Sequence, residues 1–199
     1  MDWRTIIGQA SLKKQLTELV KQNRLSHALL LVGKEGAGAL PLANAFAQYL
    51  VCEQAISSSL DEPCGQCSGC KKSMELVHPD IHFSYPTVTR KPGEKPVATD
   101  FIREWRDFLS QHSYGNLFDW IELIKEKDNS QGKITAEECN DIIRKLSLKS
   151  FESPWKILIL WHPELMGNEG NKLLKLIEEP PPQTILLLIS ESEINLLPT

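Results

Sequence analysis

Four cysteines carry the clearest chemistry in the chain. Cys52, Cys64, Cys67 and Cys70 are spaced C-x11-C-x2-C-x2-C. Two residues between thiolates let one tight turn present both sulfurs to a single ion, and zinc takes four ligands in a tetrahedron. The set therefore implies a closed structural Zn²⁺ site, with no open position for catalysis. Gly65 and Gly69 permit the bends that such a turn requires. Reduced, unligated thiols are one competing reading. An iron–sulfur cluster, which shares the C-x2-C-x2-C run, is another. His78 could also stand in for one sulfur. The fifth cysteine, Cys139, falls on an apolar helix face, where a free cysteine packs as a small hydrophobe.

A second stretch has the outline of a phosphate site. The apolar run Leu29-Leu30-Leu31-Val32 leads into Gly33-Lys34-Glu35-Gly36-Ala37-Gly38, and a helix is expected from there. This is the layout of a phosphate-binding loop, G-x-x-x-x-G-K-[ST]. Aligned on Gly33 and Gly38, the lysine slot holds Ala39 and the hydroxyl slot holds Leu40. Gly33, Gly36 and Gly38 could keep the turn, since backbone N–H groups at a helix N-terminus attract anions without side chains. The ammonium that reaches the β/γ-phosphates and the oxygen that holds Mg²⁺ are missing. The expectation is a relic loop left empty, with weak phosphate or nucleotide binding through its backbone amides as the alternative. An active ATPase would need an unorthodox lysine, and Lys34 is the candidate.

The elements that would position these groups follow from apolar spacing. Ser11 reads as an N-cap for a helix carrying Leu12, Leu16, Leu19 and Val20. The run His27 to Val32 suits a strand buried on both faces. Leu42, Ala45, Phe46, Tyr49 and Leu50 mark the buried face of the helix after the glycine turn. A polar excursion over 53–63 precedes the cysteines, and a second strand is predicted from Asp80 to Tyr85. Residues 86–98 read as loop. Helices follow around Phe101, Trp105, Phe108 and Leu109, and from Leu117 to Ile124. Thr135 and Glu138 form a capping-box signature ahead of Cys139, Ile142, Ile143 and Leu146. Strands are predicted at Lys156–Trp161 and Thr184–Ser190. Between them lies a helix from about Asn168, with Leu173, Leu174 and Ile177, stopped by Pro180-Pro181-Pro182. Strands alternating with helices imply an α/β fold with a parallel, three-layer sheet.

Composition sets limits. The chain has 199 residues, 41% hydrophobic and 24% charged, with net charge −4, which argues against a strongly basic nucleic-acid binder. Lys71 and Lys72, beside Cys70, are the cluster's sole support for a zinc-knuckle nucleic-acid module. No apolar run approaches the ~20 residues of a membrane span. The N-terminus, Met1-Asp2-Trp3-Arg4, lacks a signal-peptide layout, so a cytoplasmic protein is expected. In a reducing compartment, clustered cysteines are more often metal ligands than disulfides.

Taken together, the motifs resemble one family, the bacterial DNA polymerase III clamp-loader subunits. Cysteines inserted between a phosphate-loop helix and the second strand are one element of the match. Asn171-Lys172-Leu173-Leu174-Lys175-Leu176-Ile177-Glu178-Glu179-Pro180-Pro181 resembles that family's N-x-L-L-K-x-[LI]-E-E-P-P run. Ser26-His27-Ala28, Gly8-Gln9 and Ile194-Asn195-Leu196-Leu197-Pro198-Thr199 match further family signatures. The resemblance implies an AAA+ core of P-loop NTPase type over residues 1–199. Within it lie a zinc-binding excursion at 52–70 and a helical insertion at about 87–133.

The family has ATP-hydrolysing members and one that keeps the fold without hydrolysis, and two departures place this chain with the latter. The phosphate loop lacks its lysine and hydroxyl. After the third strand, Trp161-His162-Pro163-Glu164 stands where active members carry acidic residues, leaving Glu164 as the lone carboxylate. No catalytic residue is expected. The implied function is to help partner ATPase subunits load a sliding clamp onto primed DNA, with no membrane involved. A lid, a collar that joins the subunits and an arginine finger would follow Thr199. The segment 87–133 is longer and more aromatic than usual. Trp105, Phe108, Phe118 and Trp120 read as core of an added helical subdomain rather than as a base-stacking platform.

Overall fold

The computed structural model describes residues 3–91, 93–127 and 130–192. The Ile194–Thr199 signature lies outside them. Among the described residues four strands form one sheet: β1 (Ala28–Val32), β2 (Ile81–Ser84), β3 (Lys156–Trp161) and β4 (Thr184–Ser190). Their order is β1-β4-β3-β2 and every pairing is parallel. The α/β parallel sheet read from the sequence is thus present.

Alternate residues of the central strands feed two cores. Ile157, Ile159 and Trp161 of β3, with Ile185, Leu187 and Ile189 of β4, pack with α2 (Ala39–Leu50), α5 (Ile102–Gln111) and α6 (Leu117–Ile124). Leu158, Leu160 and Leu186 point the other way, against α7 (Ala136–Ser147) and α8 (Asn171–Glu178). Strands covered on both faces need apolar side chains at every position, which is why β3 and β4 read as continuous apolar runs. β3 is buried along its whole length, Lys156 included. The Lys156 ammonium donates to the Leu146 and Leu148 carbonyls, which the C-terminal end of α7 leaves without helical partners.

β1 departs from expectation. It stands at the sheet edge, and Leu30 and Val32 are 40% and 44% exposed. α2 departs in the opposite sense, because every residue from Leu40 to Leu50 is buried rather than one face alone. The sheet lies on one side of α2. The 3-10 turn Trp3–Thr5, α1 (Ala10–Lys21), α3 (Glu53–Ser58) and α4 (Ser68–Met74) close the rest. Two of its polar side chains find carbonyl partners: Asn44 donates to the Leu40 carbonyl at 2.9 Å, and the Tyr49 hydroxyl to the Leu60 carbonyl at 2.8 Å, whereas Gln48 Nε2 is buried with no partner among the described residues.

Three helix ends differ from the sequence reading. α1 begins at Ala10, so Ser11 lies inside it, and the residue before it, Gln9, makes no side-chain cap. α8 starts at Asn171 rather than near Asn168, because Pro163–Gly170 forms 3-10 turns broken at Gly167, whose φ is 51°. At α7, Thr135 Oγ1 accepts the Glu138 N–H at 3.1 Å as predicted. The Glu138 carboxylate instead reaches back along the chain and accepts the Ala98 N–H at 2.6 Å. It is fully buried there, and burial raises its pKa.

The 87–133 stretch leaves and re-enters the body at one place. Thr87 and Lys133 form an antiparallel bridge, exchanging N–H···O bonds of 2.8 and 3.0 Å. Inside, Trp105 stacks on Tyr85 with centroids 4.0 Å apart, and Trp120 meets both rings edge-on. Trp105, Phe108 and Trp120 are buried and continuous with the core around α2. Phe118 is not: it is 67% exposed, since α6 turns that position outward.

Candidate functional site

The glycine turn lies at the C-terminal end of β1, where Gly33 N–H continues the sheet by bonding the Ser190 carbonyl at 3.1 Å. Gly38 caps α2 with φ 87°, a conformation that side chains disfavour. Gln9 supports the turn from outside, its Nε2 donating to the Ala37 carbonyl at 3.1 Å. Gly33, Gly36 and Gly38 all line one cleft with Ala39, Leu40, Trp161, His162 and Ser190. Leu40, in the hydroxyl slot, is turned into the core at 4% exposure. Lys34 is exposed at the cleft rim.

Glu35 and Glu191 line the cleft, and Glu164, the one acidic residue of the Trp161–Glu164 run, lies behind it and accepts two side-chain hydrogen bonds. His162 Nδ1–H donates to Oε1 at 2.7 Å and the Ser190 hydroxyl to Oε2 at 2.9 Å. Burial opposes ionisation of Glu164, but the His162 bond, the backbone N–H of Glu164 itself, the His162 charge and, least, the Ser190 bond together hold the carboxyl below its usual range. These bonds fix the orientation of Glu164 within the protein, and the Trp161–Glu164 run offers no second carboxylate to divide the work of holding Mg²⁺ and orienting water. His162 reaches this position through a left-handed backbone, φ 55°.

A residue with no local sequence signal completes the cleft. Tyr114, in the turn between α5 and α6, places Cε1 3.0 Å from where a Cβ on Gly38 would stand. With Gly115 and Asn116 it forms the wall opposite the glycine turn. About 40 Å³ remains, against about 300–1,000 Å³ for ordinary small-molecule sites.

The cysteines converge as their spacing implied. Cys52 caps α3, Cys67 caps α4, Cys70 lies in the first turn of α4, and Cys64 sits in the loop between. All four Sγ atoms lie within 4.8 Å of one another. The Cys64–Cys70 and Cys52–Cys67 sulfurs are 4.0 Å apart. A tetrahedron with Zn–S bonds of about 2.3 Å has edges of about 3.8 Å, so the donor set fits a metal of that class.

Backbone N–H groups point at the sulfurs: Ala55 and Cys64 to Cys52 at 3.3 Å, Cys67 to Cys64 at 3.3 Å, and Cys70 to Cys67 at 3.5 Å. Burial pushes the Cys52 and Cys70 thiols up. Burial also opposes ionisation of Cys64, but N–H donors from Gln66 and Cys67 bring it to about 7. Gly69 makes the convergence possible, because a Cβ there would lie 2.2 Å from the Val51 carbonyl oxygen. His78 is not part of the group; its Nδ1 accepts the Asp80 N–H at 3.1 Å. Cys139 is buried in the α7 core, its thiol pushed up to about 11 by burial.

A parallel α/β body with the strand–glycine turn–helix layout of a phosphate loop, stripped of its ligating side chains and carrying a four-cysteine centre, is the class these features define. Residues 8–199 match the model of the family described as DNA polymerase III, delta subunit, and the chain belongs to that family. DNA polymerase III subunit delta′ of Bacillus subtilis is 28% identical over 192 residues, covering 96% of this chain and 44% of that protein. The delta′ subunit of Pseudomonas aeruginosa is 29% identical, covering 87% of this chain and 40% of that one. DNA polymerase III subunit tau of Bacillus subtilis is 26% identical, covering 92% and 24%. The chain thus spans less than half the length of these relatives.

Proposed function

We propose that this chain is the nucleotide-fold body of a delta′-type clamp-loader subunit, an AAA+ module kept for its shape and without ATPase activity of its own. In that role it presents a surface to the other clamp-loader subunits while the assembled complex opens a sliding clamp on primed DNA in the cytoplasm. The observation that carries this reading is the closed cleft at the glycine turn. Ala39 and Leu40 fill the ligating slots, both Glu164 oxygens are taken, and Tyr114 sits against Gly38. Gly33, Gly36 and Gly38 then act as a strand-to-helix turn.

Cys52, Cys64, Cys67 and Cys70 would hold Zn²⁺ in a structural role, fixing the 52–70 excursion against α2. The stretch 87–133 is read as a helical insertion into the one body. No described helix is long and apolar enough to cross a membrane.

The test is calorimetric titration of the chain with Mg·ATP, together with a phosphate-release assay. No binding and no turnover are expected. Turnover that disappears in Lys34→Ala would replace this reading with that of an active ATPase. Retention of the chain by the other clamp-loader subunits of the same bacterium, measured by co-purification, is the positive counterpart.

A further inference from the structure

A cleft of about 180 Å³ follows the outer edge of β2, away from both sites described above. Arg106 enters it from α5, Lys145 from the last turn of α7, His82 from β2 and Thr99 from the 3-10 turn before α5. No aspartate or glutamate is among the described residues that line it. Arg106 is anchored by Nε, which donates to the Leu76 carbonyl at 3.2 Å. That bond leaves the two terminal guanidinium nitrogens without a partner among the described residues. Lys145 is steered by Thr99 Oγ1 at 2.8 Å and by Asp141 at 2.6 Å. Thr99 accepts in that bond, so its own O–H remains a donor.

The His82 ring makes no hydrogen bond among the described residues. Burial, seconded by Lys145 and Lys156 against the opposing pull of Asp80 and Asp141, lowers its pKa to about 4. At neutral pH it is therefore an uncharged ring with one N–H to give.

We propose that this cleft binds one oxyanion of the phosphate class, held by the Arg106 guanidinium, the Lys145 ammonium, the Thr99 hydroxyl and the His82 ring. A guanidinium with both terminal nitrogens open matches such an anion as a fork. The remaining donors arrive from separate elements, which suits a tetrahedral group better than a planar carboxylate. Val77, Phe83 and Ile102 supply the smaller, apolar part of an open and mostly polar lining. The phosphate could be free or part of a nucleic-acid backbone. The proposal is independent of the reading of the glycine turn.

The test is heteronuclear NMR of the histidine rings in the full chain near neutral pH. Inorganic phosphate is titrated into the millimolar range, with sodium chloride holding ionic strength constant. Saturable movement of the His82 signals, with His27 and His112 unmoved, is expected, as is a rise in the His82 titration midpoint. Arg106→Gln should weaken the response about tenfold, the scale of one lost charged hydrogen bond. Lys145→Met serves as a second variant should the first fail to fold.

A short single-stranded oligodeoxynucleotide forms the parallel arm. A response to it alone assigns the phosphate to a polymer, whereas a response to inorganic phosphate alone assigns it to the free ion; either supports the site. No saturable response to either, an equal response to acetate, or an unchanged response in folded Arg106→Gln would overturn it.

Discussion

The hydroxyl of Tyr114 accepts the Ile7 backbone N–H at 2.8 Å, across 107 residues of sequence. That bond pins the ring where it closes the glycine turn, so one side chain joins the N-terminal segment, the α5–α6 turn and the relic loop. Tyr114→Phe should keep the cleft shut, since the ring stays and one exposed hydrogen bond is lost. Tyr114→Ala should open it. The expected outcome is a loss of about 1–2 kcal/mol in stability, with a new, weak affinity for a fluorescent ATP analogue seen by anisotropy. Hydrolysis should stay absent, because Ala39 and Leu40 still stand in the lysine and hydroxyl slots.

Restoring the ligating side chains tests the same closure from the other direction. Ala39→Lys with Leu40→Thr supplies the lysine and hydroxyl, yet Tyr114 still fills the space above. Leu40 is also buried, so the threonine should destabilise by about 1–3 kcal/mol. Nucleotide affinity should rise only when Tyr114→Ala is added, and calorimetric titration of the double and triple variants checks this.

Asp80 predicts the acid response. Its carboxylate accepts backbone N–H groups from Phe151, Glu152 and Ser153 at 2.5, 2.7 and 2.8 Å. Burial opposes ionisation, but these three donors outweigh it and depress the pKa. A depressed folded value contributes stability that is fully present above the unfolded carboxylate range, near pH ~3.9. It is lost as pH falls through the folded value. Asp80→Asn should therefore cost about 1–3 kcal/mol at neutral pH and flatten the acid limb of the stability curve, measured by urea unfolding at stepped pH.

The cysteine centre should behave as one unit. Cys67→Ser should release the metal and loosen the 52–70 excursion, because a three-ligand site loses much of its free energy. Elemental analysis is expected to find one zinc per wild-type chain and none in the variant. Gly69→Ala should produce the same loss without touching a ligand, since its Cβ would displace α4 from Val51.

The two central tryptophans are predicted to differ. Trp120 Nε1 donates to the Pro86 carbonyl at 2.7 Å, whereas Trp105 Nε1 is buried with no partner among the described residues. Replacement by Phe removes similar ring area at each site, but only Trp120→Phe orphans a carbonyl. It should cost about 1–3 kcal/mol more than Trp105→Phe in urea unfolding.

These contacts also mark what local sequence could reveal. β3 and β4 were legible because strands covered on both faces must be apolar throughout. The convergence of the cysteines was legible because three of the four thiols lie within one turn and its helix cap. Glu138 illustrates the limit: its distance from Thr135 reads as a capping box, but the carboxylate is committed to Ala98 instead. Tyr114, His162 and Ser190 carry no joint signal in the sequence for the same reason, since their partners are set by the packing of separate elements. Edge exposure of β1 follows from strand order, which a single apolar run does not encode.

The bridge between Thr87 and Lys133 gives the intervening stretch a stem. Because both ends are fastened at one spot beside β2, lengthening the exposed loop segments just inside Thr87 and Lys133 should carry an entropic penalty that grows only logarithmically with length. The sheet order would not register the change. Tolerance of that kind is confined to the exposed ends of the stretch, because Trp105, Phe108 and Trp120 are built into the core and Tyr114 must still return to Gly38.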